Sequence, residues 1–208
     1  MRVWTQDAGG KGKVSVRVDG PRVHPPVFLV ISDQYVGYGK GIEVKMSYRF
    51  ASKQAKFEAP PPALLWTQGV SSCRVTGAVV LSGGRVRGVG LAHINADIPV
   101  DTDINFLADG CKKLSADPED VYLVFYFHAK HTPNRAANKE DARESSRKFG
   151  DRFGGQVPNT HHLLIEGRVG NFGIASDGSA GEVTNEQIER MKESNAPVAH
   201  GNGCCVLF

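Results

Sequence analysis

Hydrophobic positions recur along much of the chain with a period of two. Val14, Val16 and Val18 alternate with Lys13, Ser15 and Arg17, and Ile42 to Tyr48 alternates again; both read as half-buried strands. Pro26 to Ile31 is continuously apolar, as in a strand buried on both faces. Val75 to Leu81 and the return through Gly88 to His93 flank Ser82-Gly83-Gly84, which predicts an antiparallel hairpin. Val121 to Phe127 is the strongest strand pattern, and His162 to Glu166 and Asn171 to Ala175 add two more.

Helical spacing is rarer. Phe106, Leu107, Ala108, Cys111 and Leu114 share one face of a helix over Ile104 to Leu114, with Asp101 or Asp103 as its N-cap. Asn138 to Phe149 predicts a charged helix with little apolar face. Thr184-Asn185-Glu186-Gln187 is a capping box opening a helix through Lys192. Runs of strands with few helices, without strict strand-helix alternation, predict an α+β fold: a β-sandwich-like mixed-sheet core with flanking helices. One domain over 1–208 is expected, with a β-rich part at 1–60, a stiff break at Pro60-Pro61-Pro62 and a tail at 195–208.

Composition narrows the function. The 208 residues are 40% hydrophobic and 23% charged with net charge +3, ordinary for a globular chain. Basic residues are scattered among acidic ones, so nucleic-acid binding is not expected. The first residues lack a signal-peptide pattern, and Cys73, Cys111, Cys204 and Cys205 form neither a disulfide framework nor zinc-type pairs. A reduced, cytosolic setting follows. Gly37-Tyr38-Gly39-Lys40-Gly41 has the composition of a phosphate loop, but no Gly-Lys-Ser/Thr follows, and it reads as a turn.

The hairpin carries the chemistry. Counting ten residues from Gly83 in each direction reaches Cys73 and His93, so the pairing places a thiol opposite an imidazole, the arrangement of an activated cysteine nucleophile. The small residues Gly69 to Ser72 leave backbone N–H groups free to face an oxyanion. Spacing alone leaves a second reading open, since cysteine is also a common buried apolar residue. Asn95 or Asp97 lies where it could take the other ring N–H of His93, and Cys111, among core residues, reads as inert. His128 and His131 would need His161 and His162 to complete a metal site, and these two alternate across a strand, so no metal is expected.

Thr67-Gln68-Gly69-Val70-Ser71-Ser72-Cys73 and Gly90-Leu91-Ala92-His93 resemble the T-x-G-x-x-S-C and G-x-A-H segments of the chemotaxis receptor glutamine deamidases. That family shares a Cys-His-Thr site and an αβ-sandwich with toxins of the cytotoxic necrotizing factor type and with a lethal factor that deamidates a translation-initiation helicase. The resemblance implies Cys73 as nucleophile, His93 as general base and Thr67 as the residue orienting the histidine, with no cofactor and a target protein carrying the substrate glutamine. Phe153-Gly154-Gly155 is similar to a turn of the chemotaxis enzymes. The chain departs from the family in the residues preceding Thr67, in the charged Arg74 beside Cys73 and in a longer Cys-to-His separation. A monomeric toxin or effector that acts in a host cell is the expectation, with a chemoreceptor deamidase, a transglutaminase, a cysteine protease and a non-catalytic binding domain as alternatives. The C-terminal Cys205-Val206-Leu207-Phe208 fits a prenylation motif, with Cys204 as a second lipid acceptor, which would bring the protein to a host membrane.

Overall fold

In the computed structural model the described residues are 2–7, 13–18, 27–30, 41–45, 55–94, 101–128, 131, 134–156, 158–165 and 170–194. They form an α+β fold built on two five-stranded sheets. The strands are β1 (Arg2–Asp7), β2 (Lys13–Val18), β3 (Val27–Val30), β4 (Gly41–Glu43), β5 (Ala55–Glu58), β6 (Leu64–Thr67), β7 (Arg74–Ser82), β8 (Arg85–Ile94), β9 (Val121–His128), β10 (Asn159–Ile165), β11 (Phe172–Ala175) and β12 (Ala180–Glu182). The helices are α1 (Asp101–Lys113), α2 (Arg135–Arg152) and α3 (Asn185–Ser194). One sheet has the order β10-β9-β7-β8-β5, the other β3-β12-β11-β6-β4, and β1 pairs with β2 separately.

Alternation along the strands assigns each face. Val75, Val79, Val89, Leu91, Val124 and Tyr126 of the first sheet meet Leu65, Phe172, Ile174 and Ala180 of the second in a core between the sheets. The intervening residues Ala78, Val80, Ala92, Ile94, Leu123, Phe125 and Phe127 turn to the other side and pack with α1 and α2. Leu64 and Trp66 face away from the first sheet and pack with Ile188 and Met191 of α3. The layers therefore run helix, sheet, sheet, helix. The prolines at 60–62 stand where the chain leaves β5 in one sheet for β6 in the other.

Several local expectations take a different form. α1 starts at Asp101, so Asp101 and Asp103 lie in its first turn and not at its cap, where their charge complements the helix dipole. The alternation read over Ile42 to Tyr48 is a strand only over Gly41–Glu43, and positions 46–48 lie outside the described residues. β12 was not legible, because Ala180-Gly181-Glu182 is three residues long and carries no apolar alternation. The capping box forms as expected: the Gln187 N–H donates to Thr184 Oγ1 at 3.1 Å, and the Thr184 N–H to Gln187 Oε1 at 3.0 Å. Phe153-Gly154-Gly155 closes α2, with both glycines at positive φ and the Gly155 N–H returning to the Gly150 carbonyl at 2.8 Å.

The register of the β7–β8 hairpin matters most. Gly83 and Gly84 both have positive φ, as a two-residue turn of the type that matches strand twist requires. Beyond it Ser82 pairs with Arg85 and Leu81 with Val86, but Val80 pairs with Gly88, so Arg87 is an extra residue in β8. From the bulge onward the register is Val79 with Val89 through Val75 with His93. Were Arg87 paired in the ladder and not bulged out, the two-residue turn would set Arg74 opposite His93 and turn the imidazole to the helix face, because a one-residue slip reverses every side chain. Deleting Arg87 removes the extra residue and leaves Val89, Leu91 and His93 opposite their present partners, so it is expected to cost under about 2 kcal/mol in urea unfolding. Substituting Arg87 with alanine, which keeps the extra residue, is expected to cost under about 1 kcal/mol.

Candidate active site

His93 lies near the end of β8, facing the second sheet and fully buried. Opposite it across the sandwich is Thr67, the last residue of β6, also fully buried. Thr67 stands level with Phe172 of β11, whose ring belongs to the core between the sheets, so its hydroxyl points toward β8. Thr67 Oγ1 lies 2.8 Å from His93 Nδ1 and 2.7 Å from the Val44 carbonyl oxygen. A hydroxyl has one proton, and the carbonyl can only accept. Thr67 therefore donates to Val44 and accepts from His93, which places the imidazole proton on Nδ1 and leaves the Nε2 lone pair bare. Nε2 is buried and meets no hydrogen-bond partner among the described residues. A buried acceptor left so costs about 1–3 kcal/mol, and its lone pair is available to a proton donor. The ring N–H that Asn95 or Asp97, read first as surface-loop residues, could have taken is held by Thr67, and both of those residues lie outside the described ones.

Cys73 immediately precedes β7, is 4% exposed and is not in a disulfide. The expected direct pairing with His93 is corrected by the bulge: Val75 stands opposite His93, and Cys73 lies two residues earlier on the same face. The thiol and the imidazole are thus diagonal neighbours, at a separation of about 7–8 Å between backbones that a histidine side chain spans. Arg74, the charged neighbour, points to the other face, where its Nη1 bonds Asp141 of α2 at 2.8 Å. Its bulk is kept out of the site by strand alternation alone.

The segment from Gln68 to Ser72 forms the rim. Gln68, Gly69, Ser71 and Ser72 are exposed, Gly69 has φ of 76°, and the buried Val70 is tied by its N–H to the Gly170 carbonyl at 2.7 Å. A Cβ at Gly170 would come within 2.6 Å of the Val70 carbonyl oxygen, so only glycine permits this approach. Neither Gly170 nor Val44 was legible as a site residue, because each contributes only a backbone carbonyl from a distant part of the chain.

Burial sets the electrostatics. Desolvation lowers the His93 pKa from 6.5 to about 4, so the imidazole is neutral at pH 7. Cys111, packed against α2 and the first sheet, is raised to about 12 by burial and is inert as a nucleophile, as its helical spacing implied. Among the described residues no cluster of three or more His, Cys, Asp or Glu could hold a metal ion, and no helix is long and apolar enough to cross a membrane. Cys204 and Cys205 lie outside the described residues. No protein-family model matches the chain, and no curated protein matches it.

Two measurements test this geometry. Thr67→Val removes the acceptor for His93 Nδ1 and the donor to Val44; a loss of about 1–3 kcal/mol is expected. Nitrogen NMR of the ring should change with it, from a single Nδ1–H tautomer to a mixture. The second concerns pH. Between pH 6.5 and about 4 the unfolded chain takes up a proton that folded His93 refuses, so this contribution to stability is complete above pH 6.5 and is lost as pH falls. The stability difference between wild type and His93→Gln is expected to shrink by about 3 kcal/mol from pH 7 to pH 4.

Proposed function

We propose that the protein is a protein-glutamine deamidase with Cys73 as nucleophile, His93 as general base and Thr67 as the residue that holds the base. The observation that carries this reading is the Thr67–His93 hydrogen bond across the sandwich, which leaves a bare Nε2 on the same sheet face as a buried thiol. The sequence resemblance to the chemotaxis and necrotizing-factor deamidases supports it, and extends it to a CheD-type sandwich and to action as a bacterial toxin or effector.

The Cys73 proton passes to His93 Nε2 as sulfur attacks the carboxamide carbon of the substrate glutamine. The imidazolium, disfavoured by burial in the resting site, is paired here with the negative oxygen of the adduct, so charge separation is favoured most when a substrate is bound. Backbone N–H groups of the segment before Cys73 face that oxygen. His93 returns the proton to the nitrogen, ammonia leaves, and a thioester remains. Water then adds to the thioester with His93 as base, and the thiol departs with the proton, leaving glutamate. These steps call on no cofactor.

The depth of Cys73 favours a side-chain amide over a peptide bond. A glutamine presents its carboxamide at the end of a slender chain that can pass the Gln68–Ser72 rim, whereas proteolysis needs main chain on both sides of the scissile bond to lie beside the sulfur. Interception of the thioester by an amine would make the enzyme a transglutaminase.

Wild type and Cys73→Ala should be expressed in eukaryotic cells and the proteome searched by mass spectrometry. A glutamine converted to glutamate, a gain of about one dalton, is expected only with wild type, and Cys73→Ala should lower conversion by at least about a thousandfold. Gain of an amine would indicate transglutamination, a shortened target would indicate proteolysis, and an equal biological effect of both chains would indicate a binding domain.

A further inference from the structure

β7 is flanked by β8 on one side and β9 on the other, and His93 accounts for only the β8 side of the thiol. In the β7–β9 ladder Val75 pairs with Tyr126 and Arg74 with Phe127. One step further along this register Cys73 comes level with His128, the last residue of β9. Val124 and Tyr126 lie with Cys73 in the core between the sheets, so strand alternation puts His128 on that face too. His128 is 3% exposed. Its ring centroid is 4.8 Å from that of the exposed His131, across a turn closed by the His131 N–H on the His128 carbonyl at 3.0 Å.

We infer that His128 is a second histidine of the Cys73 centre, standing on the β9 side of the thiol as His93 stands on the β8 side, and that it stabilises the thiolate. This rests on the proposed role of Cys73 as nucleophile. Residues level across an antiparallel ladder have Cβ atoms about 4.5–5.5 Å apart, close enough for an imidazole to act on a neighbouring sulfur. Cys73 heads the strand that lies between β8, which carries His93, and β9, which carries His128. The proton balance is unchanged: the thiol proton goes to His93 Nε2, while His128 keeps its own proton and holds the anion through an N–H or, when protonated, a full charge. The titratable groups placed beside His128 are Cys73, by register, and His131, by ring contact, with Tyr126 two residues back on the same strand face donating to Glu182 of β12; β10 places Ile165 level with it. Exposed His131, in ring contact, sets a second imidazole beside it, and like charges on the two would repel.

The test needs no knowledge of the target. Iodoacetamide is reacted with the full chain from pH 5 to 9, and alkylation of Cys73 is followed by peptide mass spectrometry for wild type, His128→Gln and His131→Gln. Wild-type Cys73 is expected to react at pH 6 at least about tenfold faster than free cysteine, and His128→Gln to lower that rate about fivefold and shift the acid limb of the profile to higher pH. His131→Gln removes an imidazole in ring contact whose charge would repel charge on His128, so it should shift the limb to lower pH, with about a twofold gain in rate at pH 6. A profile for folded His128→Gln that overlies wild type overturns the inference and leaves the Cys73–His93 reading intact. A wild-type thiol no faster than free cysteine overturns both. If His128→Gln does not fold, His131→Gln decides, and an unchanged profile there overturns the inference.

Discussion

The single proton of the Thr67 hydroxyl governs the site. Were Thr67 to donate to His93, the buried Val44 carbonyl would lose its partner, at the cost of an unsatisfied group in a dry interior. The carbonyl therefore claims the proton, the hydroxyl must accept from Nδ1, and the basic nitrogen of His93 is directed to the face that carries Cys73. One backbone oxygen on an edge strand thus selects a tautomer in the opposite sheet. The choice is made by satisfying hydrogen bonds and needs no charged orienting residue.

Among the described residues that bond is a polar link between the sheets, and the Tyr126–Glu182 bond is another. His93, Val75 and Tyr126 stand in a row on one sheet, and Thr67, Phe172 and Glu182 in a row on the other. Thr67 meets His93 at one end, the Tyr126 and Phe172 rings stack at 5.0 Å, and the Tyr126 hydroxyl donates to Glu182 at 3.2 Å at the other end. Apolar packing has no direction and tolerates sliding, whereas two hydrogen-bonded pairs set in it specify the offset of one sheet on the other. Burial pushes Glu182 up to about 7, so its contribution to stability is lost as pH rises from 4.5 through 7, opposite in sign to that of His93. Where the two windows overlap, the slopes partly cancel.

The same layering protects the chemistry. Successive residues of β7 point to opposite faces, so Cys73 faces the second sheet while Arg74 is drawn off to Asp141 on α2. Gly170, whose backbone must touch Val70, holds the rim that a substrate side chain would pass. Under the deamidase reading, narrow access and a neutral resting imidazole act together: the thiol is shielded, and charge develops most against a bound amide.

The α+β class, the hairpin at Gly83-Gly84, the strong β9 and the capping box at Thr184 were legible because each depends on side-chain period or on residues within one turn of each other. So was the inert setting of Cys111, whose helical spacing placed it among apolar residues. The extra residue at Arg87 was not legible, since nothing in Arg85-Val86-Arg87-Gly88 marks which residue drops out of the ladder, and that choice decides which face His93 takes. His128 read as a strand end until the register of β9 against β7 was known. Local patterns settled which segments pair their backbones and which residues bring a thiol and imidazoles to the chain. Tertiary structure alone decided the tautomer of His93, the partner of its N–H and the level of Cys73 between two histidines, because those depend on carbonyls and registers contributed by strands far apart in sequence.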